Sequence, residues 1–143
     1  MAGSKSGSQA STTIGRTAYG DGRLSSQREA IARVARDFSA AFSADDLLAA
    51  VRVGTPGIGI ATVYRAVAAM EAAGFIEVVG VRGNATLYVH CVQEGHHHHV
   101  VCTGCGAVAD AECSVKATAT EAGGFAITGH DLTLYGLCPR CQP

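Results

Sequence analysis

The chain has 143 residues, about one ordinary domain or two small ones, and 48% of them are hydrophobic, which is enough to form a buried core. No apolar run approaches the roughly 20 residues that cross a bilayer, and the start of the chain lacks the apolar stretch of a secretion signal. These features argue against a disordered, secreted or membrane-spanning chain and predict a cytoplasmic protein.

The net charge of -1 conceals a basic half and an acidic half. Residues 1–65 carry eight Lys and Arg against five Asp and Glu, whereas residues 66–143 carry three against seven. A basic N-terminal half is compatible with nucleic-acid binding and also with an ordinary solvated surface.

In chain order, a segment rich in Gly, Ser and Thr comes first and predicts a flexible tail over residues 1–22. Apolar residues then recur at helical spacing in LSSQREAIARVARDF, residues 24–38. A second short helix is predicted in SADDLLAAVRV, with Ser43 as its N-cap. A third is predicted in IATVYRAVAAMEAAG, which Gly74 ends.

The segment FIEVVGVRGNATLYVHC, residues 75–91, predicts a two-stranded hairpin around RGNA, where Gly and Asn suit positive φ. Three short helices followed by a hairpin predict a winged helix, whose third helix enters the DNA major groove. The periodicity of that helix predicts an inward face of Ile60, Val63, Val67 and Met70. It leaves Thr62, Arg65 and Ala69 facing outward and Tyr64 on the flank. A three-helix unit with one exposed arginine and no DNA-binding role stays open as the alternative.

The character of the sequence changes from Gly95 onward. Strands are predicted in HHHHVVC, GAVADA and FAITGHDLTLYGLC, and one weak helix in SVKATATEAG, residues 114–123. A unit of about fifty residues is too small to be securely stable alone. We therefore expect a metal ion or a partner subunit to complete it.

Four of the six cysteines form two Cys-x-x-Cys pairs, Cys102/Cys105 and Cys138/Cys141. Each pair adjoins Gly or Pro, so the chain can turn tightly and bring both sulfurs to about 2.3 Å from one zinc ion. Four thiolates leave no open coordination position, which predicts a structural zinc site that contributes folding energy. A redox dithiol needs only one such pair, and disulfides are disfavoured in a reducing compartment.

Four consecutive histidines, residues 96–99, precede the first cysteine pair. If they form a strand, His97 and His99 face one side and His96 and His98 face the other. Cys91 and Glu77 stand near the first pair in sequence and complete a set of one thiolate, two imidazoles and one carboxylate. Because a thiolate is present, that set suits zinc better than iron or manganese. For Cys91 alone, a buried inert thiol is the alternative.

A second set starts from the other histidine face. His96 and His98 are predicted to be joined by His130 and by one carboxylate as a possible accessory metal site. Glu112 is the preferred carboxylate, and Asp110 and Glu121 are the alternatives, because the spacing does not fix this ligand.

The stretches IGIATVYRAVAAMEAAGFIE, HHHHVVCTGCG and GFAITGHDLTLYGLCPRC closely resemble the ferric uptake regulator (Fur) family, over about residues 23–141. The resemblance implies an α+β protein with an N-terminal winged helix-turn-helix DNA-binding domain over residues 23–92, hinge included. A small α/β dimerisation domain over residues 93–143 follows. It implies a homodimeric, metal-dependent repressor that binds operator DNA, with no membrane and no small-molecule substrate as partner.

The resemblance also implies roles for individual residues. The structural zinc site is matched by Cys102, Cys105, Cys138 and Cys141. Tyr64 and Arg65 match the DNA-contacting pair, and Arg23 lies where a basic residue often reaches the minor groove. Thr62 is added because it faces the same side of the third helix.

Departures from the family pattern point to its zinc-responsive (Zur) members. Iron, manganese and peroxide sensors usually carry a histidine before the second helix, where this chain has Ala41 and Phe42. The regulatory zinc site of the zinc-responsive members is matched by Glu77, Cys91, His97 and His99. The resemblance thus implies a repressor of zinc-uptake genes that binds two or three Zn²⁺ per subunit.

Two features fit the family less well. Its accessory site usually takes an acidic residue from a helix where this chain has Lys116 and Ala117. Cys113 matches no ligand of the family and is interpreted as a spare thiol.

Other functions remain as alternatives. Within the family, the signal could be iron, manganese, nickel or peroxide. Outside it, the chain could be a zinc storage or chaperone module, although the helical half would then have no role. A zinc hydrolase or deaminase needs an open metal position and a general base, typically His-x-Glu, and no histidine here is followed by Glu two residues later. An enzyme is therefore not expected.

Overall fold

The computed structural model describes residues 18–21, 23–91, 96–113 and 121–143, without the side chains of residues 121 and 122. The chain divides into two compact units, Met1–Val92 and Gln93–Pro143. Within the described residues, no helix combines the length and the apolar character needed to cross a bilayer.

The first unit contains helices α1 (Ser26–Asp37), α2 (Ala44–Gly54) and α3 (Ile60–Ala72). Ser25 caps α1, since its hydroxyl oxygen accepts a hydrogen bond from the backbone N–H of Arg28 at 3.2 Å. Ser43 begins α2 in a reciprocal capping box with Asp46. Gly74 follows α3 with a φ of +73°, a conformation that favours glycine, so the predicted helix end is confirmed.

Helix α3 buries one face against the other two helices. Its buried residues are Val63, Ala66, Val67 and Met70. The prediction is wrong for Ile60, which is 52% exposed, because Ile58 enters the core just before the helix begins. Ile58 and Val63 occupy the two positions of a hydrophobic staple, so Ile60 is not needed inside. Ala69, predicted to face outward, packs against the core.

The hairpin joins β1 (Ile76–Arg82) to β2 (Ala85–His90) in antiparallel register. Gly83 turns the chain with a φ of +63°, but Asn84 does not adopt the positive φ that we predicted, since every described residue with positive φ is a glycine. Phe42, before α2, exchanges backbone hydrogen bonds of 2.9 and 2.8 Å with Tyr88. This bridge fixes the hairpin beside the helices, as in a winged helix.

Two residues of the predicted tail belong to the core of the first unit. Ala18 is fully buried and Tyr19 nearly so. The Tyr19 hydroxyl donates to the backbone carbonyl of Arg28 at 2.8 Å, and the Arg28 guanidinium lies 4.9 Å from the Tyr19 ring centroid. The tail prediction is therefore wrong for these residues, because Tyr19 finds both an apolar surface and a hydrogen-bond partner; residues 1–17 and 22 lie outside the described chain.

The described part of the second unit consists of short strands. They are β3 (His98–Cys102), β4 (Val108–Ala111), β5 (Glu121–Ala122), β6 (Phe125–Ala126) and β7 (Thr133–Gly136). Strand β3 lies between β4, antiparallel to it, and β7, parallel to it. The predicted helix over 114–123 is wrong at its end, because two glycines with positive φ turn β5 back onto β6. Residues 114–120 of that prediction lie outside the described chain.

Candidate metal centres and nucleic-acid interface

Both cysteine pairs lie at the carboxyl ends of two neighbouring strands in the second unit. Cys102 ends β3, and Cys105 follows in the next turn, while Cys138 and Cys141 follow β7. Because β3 and β7 are parallel neighbours, with Cys102 opposite Gly136, the two turns leave the sheet side by side. The four sulfur atoms all lie within 4.8 Å of one another.

The spacing of these sulfurs fits a tetrahedral metal site. The Sγ atoms of Cys105 and Cys138 are 3.7 Å apart. Sulfurs at about 2.3 Å from one zinc ion in tetrahedral geometry are about 3.8 Å apart, whereas disulfide sulfurs are about 2.05 Å apart. None of the six cysteines, all of which lie in the described residues, forms a disulfide. The arrangement is therefore that of a metal site.

The protonation of the four thiols also favours a cation among them. The backbone N–H of Cys138 donates to the Cys102 sulfur at 3.3 Å and is the main cause of a Cys102 pKa lowered to about 6. The pKa of Cys141 is raised to about 12 by its hydrogen bonds to Cys138, Cys105 and Cys102. Without a cation, the four thiols cannot all be ionised together, because like charges so close to one another repel. A divalent ion would stabilise all four charges.

Gly104, in the first cysteine turn, lies close to Cys141 of the second turn. A Cβ atom at this position would be 3.1 Å from both Cβ and Sγ of Cys141. We expect Gly104→Ala to displace the Cys141 side chain and to lower the free energy of unfolding of the zinc-loaded unit by about 1–3 kcal/mol.

Thermal unfolding and zinc release to a chelator would measure this effect. Gly136→Ala is the matched control, because Gly136 lies in the adjoining strand and an added Cβ would meet nothing within 4 Å. If Gly104→Ala retains zinc as firmly as the Gly136→Ala control, the close approach has no role in the site.

A second cluster forms on one face of β3. The Nε2 atom of His130 lies 3.0 Å from that of His96, 3.1 Å from that of His98 and 3.2 Å from the sulfur of Cys113. The ligand atoms of these four residues are all within 4.8 Å of one another. Desolvation, followed by the neighbouring imidazoles, lowers the pKa of His98, which favours the neutral form that binds metal ions.

Cys113 stands in this cluster where Glu112 was predicted. His98 is directly opposite Ala111 in the β3–β4 pair, and successive residues alternate between faces. Two steps from Ala111, Cys113 returns to the face of His98, whereas Glu112 falls on the other. Asp110 also lies on that other face, with its carboxylate 3.3 Å from Nδ1 of His99. The side chain of Glu121 lies outside the described residues.

Two residues of the predicted regulatory set belong to the hairpin of the first unit. Glu77 lies in β1, and Cys91 follows β2, with its backbone N–H donating to the Phe75 carbonyl at 3.1 Å. Phe75 and Glu77 are two residues apart, and Cys91 lies across from Phe75. Glu77 and Cys91 therefore share one face of the hairpin.

The other two residues of that set belong to the second unit. The rings of His97 and His99 meet edge to face, with centroids 4.9 Å apart. His99 is buried beside Asp110, which would orient its imidazole. Each pair thus presents its donors on one side of its own hairpin or strand.

The outer surface of α3 carries the residues predicted to contact DNA. Arg65 and Tyr64 are exposed and Thr62 is half-buried. The Tyr64 hydroxyl donates to the Asp45 carboxylate at 3.0 Å, which raises the pKa of Tyr64. Arg23 is also exposed, and its backbone carbonyl accepts from the Arg28 guanidinium at 3.0 Å.

Comparison with known families decides what this combination of units is. The model of the Ferric uptake regulator family matches residues 20–135. The chain belongs to the ferric uptake regulator family. It is a metal-responsive transcriptional regulator with a winged helix-turn-helix unit. The family is one of transcription regulators, not of enzymes.

The similar proteins include one named for ferric uptake and one named for zinc uptake. The Ferric uptake regulation protein of Legionella pneumophila is 36% identical over 105 residues, 70% of this chain and 76% of that protein. Transcriptional regulator FurA of Mycobacterium tuberculosis (strain ATCC 25618 / H37Rv) is 32% identical over 102 residues, 68% of this chain and 69% of that protein. A solved structure of a Zinc Uptake Regulator complexed with zinc and DNA has a TM-score of 0.71 and 29% identity, and covers 94% of this chain and 91% of that one.

Sequence reasoning missed one member of the metal-ligating clusters in this protein. Cys113 follows no Cys-x-x-Cys pattern, so its spacing carried no metal signal. Cys113 can be assigned to this cluster once β4 is known to pair antiparallel with β3. Ala111 is then opposite His98, and Cys113, two residues later, lies on the same face as His96 and His98.

Proposed function

We propose that this protein is a zinc-responsive repressor that binds palindromic operator DNA as a homodimer and controls zinc-uptake genes in the cytoplasm. The observation that carries the proposal is the donor chemistry of the regulatory set. Cys91 supplies a thiolate beside a carboxylate on one hairpin face, and His97 and His99 supply two imidazoles on one strand face. This set suits Zn²⁺ better than the harder Fe²⁺ and Mn²⁺.

The position of these donors along the chain suggests how the signal acts. Only five residues separate Cys91 from His97, and Asp110 would orient His99. One metal ion with ligands from both units would restrain their relative motion. It would favour the dimer whose two α3 helices match successive major grooves of a palindrome.

The similarity to the zinc uptake regulator bound to zinc and DNA supports this proposal. The alternative is a sensor of iron, manganese, nickel or peroxide, and the relative named Ferric uptake regulation protein favours iron among these. That alternative predicts a metal preference that does not depend on Cys91.

Exposed apolar residues of the second unit support a homodimer. Phe125 on β6 is 73% exposed and Tyr135 on β7 is 64% exposed. Strand β7 lies at an edge of its sheet and also exposes Leu134. An exposed apolar strand edge on a unit of about fifty residues is expected to be buried in an interface, and a second copy of the chain would bury it.

The exposed surface of α3 supports operator binding. Arg65 can pair with a guanine edge or a phosphate. Tyr64 can offer its ring to a thymine methyl while its hydroxyl stays bonded to Asp45, or release the hydroxyl to a phosphate.

A gel shift on A/T-rich palindromic DNA, with and without zinc, tests the proposal. If about 1% of the metal-free protein is competent to bind, zinc should increase the apparent affinity by about 100-fold. Fe²⁺, Mn²⁺ and Ni²⁺, each added alone, should give much weaker shifts. A gel shift that does not depend on zinc would contradict the proposal that zinc is the signal. A stronger response to Fe²⁺ than to Zn²⁺ would support the iron-sensor alternative.

Two variants make the gel shift specific to α3. Arg65→Ala is expected to weaken the zinc-dependent shift by about tenfold through loss of one base or phosphate contact. Arg36→Ala removes the same charge from α1, where it pairs with Asp37, and should have little effect. Equal losses in both variants would indicate a net-charge effect and not a recognition contact.

A further inference from the structure

The predicted accessory site of the second unit forms a cluster whose fourth ligand differs from the expected carboxylate. It consists of His96, His98, Cys113 and His130. His98 is only 3% exposed, and Cys113 is half-buried. Three of these residues come from the paired strands β3 and β4 or their extensions, and His130 comes from the segment before β7.

The three short contacts in this cluster cannot all be hydrogen bonds. Each ends on the same atom, Nε2 of His130, at 3.0 to 3.2 Å. A neutral imidazole nitrogen has a single direction for a hydrogen bond, as a donor or as an acceptor. At least two of the contacts to His130 therefore lack a hydrogen bond. A cation at the centre of the four atoms would satisfy all of them.

The distances agree with a tetrahedral site. Two imidazole nitrogens bound to zinc at about 2.0–2.1 Å lie about 3.3 Å apart, and a nitrogen and a thiolate sulfur lie about 3.5 Å apart. The three contacts at His130 are within a few tenths of an ångström of those values. All four ligand atoms also fall within 4.8 Å of one another, so they can surround one ion.

The geometry points to Cys113 as the fourth ligand of a site with three imidazoles and one thiolate. Strand alternation excludes Glu112 from the same face, so the chain supplies a sulfur where the sequence predicted a carboxylate oxygen. A thiolate favours Zn²⁺ and disfavours Mn²⁺ and Fe²⁺. Cys113 would therefore give this accessory site a preference for zinc, whichever metal controls DNA binding.

Cobalt absorption tests this ligand set in the full chain. Co²⁺ is added to the Cys91→Ser protein, from which labile metal has been removed while the structural zinc is retained. Cys113 is then the one thiolate outside the four-cysteine site. The near-ultraviolet thiolate-to-cobalt charge-transfer band should appear in Cys91→Ser and be lost in Cys91→Ser/Cys113→Ser, whose Co²⁺ affinity should fall by about 100-fold or more. No band in Cys91→Ser, or an equal band in the double variant, would overturn the assignment.

A carboxylate variant separates loss of the ligand from loss of the fold. Cys91→Ser/Cys113→Asp should bind Co²⁺ without the thiolate band and should shift its preference from Zn²⁺ towards Mn²⁺. An unchanged preference would exclude Cys113 from the site. Retention of one zinc per chain confirms that the four-cysteine site is intact in each variant.

Alkylation of Cys91→Ser gives a readout that needs no further mutation. Zn²⁺ should slow the reaction of Cys113 with iodoacetamide by at least about tenfold, as measured by mass spectrometry of the Cys113 peptide, because a metal-bound sulfur is a poorer nucleophile. Equal rates with and without zinc would overturn the proposal. None of these measurements involves DNA, so a negative result leaves the proposed repressor function untouched, and a failed gel shift leaves this site untouched.

Discussion

Replacing Cys102 with serine is expected to unfold the second unit while leaving the first unit folded. Cys102 ends the central strand of the sheet, and its sulfur accepts a hydrogen bond from the backbone N–H of Cys138. One substitution therefore removes both a zinc ligand and a link between the two cysteine turns. Structural zinc sites contribute about 10–16 kcal/mol of apparent binding free energy at pH 7, which is as large as the whole stability of an ordinary domain. A unit of about fifty residues has no comparable apolar core to replace it.

Three measurements would separate local from global unfolding. Zinc content should fall by at least one ion per chain, because the second unit also carries ligands of the other two metal sets. Limited proteolysis should cut within residues 93–143, and gel filtration should show loss of the dimer. The far-ultraviolet helix signal should persist, because α1, α2 and α3 all lie in the first unit with its own buried core. If Cys102→Ser remains zinc-loaded, protease-resistant and dimeric, the structural role of this site is wrong.

Replacing Cys91 with serine is expected to abolish the zinc response without unfolding either unit. The side chain supplies the thiolate of the proposed regulatory set, whereas the backbone N–H of Cys91 keeps its 3.1 Å hydrogen bond to Phe75 regardless of the side chain. Operator affinity in zinc should fall by about 100-fold, to the level of the metal-free protein, if the competent fraction is then about 1%.

Titration of wild type and Cys91→Ser with zinc, iron, manganese and nickel would test this expectation. Cys91→Asp is a useful second variant, because its regulatory site would contain only nitrogen and oxygen ligands. The metal preference of the site should then move towards iron and manganese. Non-specific DNA binding at low salt should be the same in all three proteins, since α3 is unchanged. An unaltered zinc response in Cys91→Ser would exclude Cys91 from sensing and would favour a sensor of another metal.

The sequence predicted the helices and the hairpin because local rules decide them. Ser43 caps α2 through a capping box, and Gly74 ends α3 at a positive φ, both of which depend on nearest neighbours alone. The two Cys-x-x-Cys pairs were equally readable, since each pair specifies its own turn and only the pairing of β3 with β7 was left to bring them together.

The errors came from contacts between distant segments. Tyr19 is a lone aromatic among small residues, and only the α1 surface shows that it is buried. Ile60 has the right periodicity to be buried, but Ile58 enters the core instead. Cys113 could be assigned to a histidine face only once the register of β3 against β4 was known, because a shift of one residue would exchange it with Glu112.

Strand β3 carries ligands of all three metal-binding sets, which should affect the order in which metal ions bind. Five consecutive residues provide Cys102 to the four-cysteine site, His98 to the cluster at His130, and His99 to the proposed regulatory set. Three binding equilibria then share one short segment of backbone, so an ion that fixes the strand for one set lowers the entropy cost of ordering the others. By linkage, each ion raises the affinity of the rest by the same factor as they raise its own. We expect cooperative loading in which the four-cysteine site fills first and the regulatory ligands respond over a narrower range of free zinc than an isolated site would.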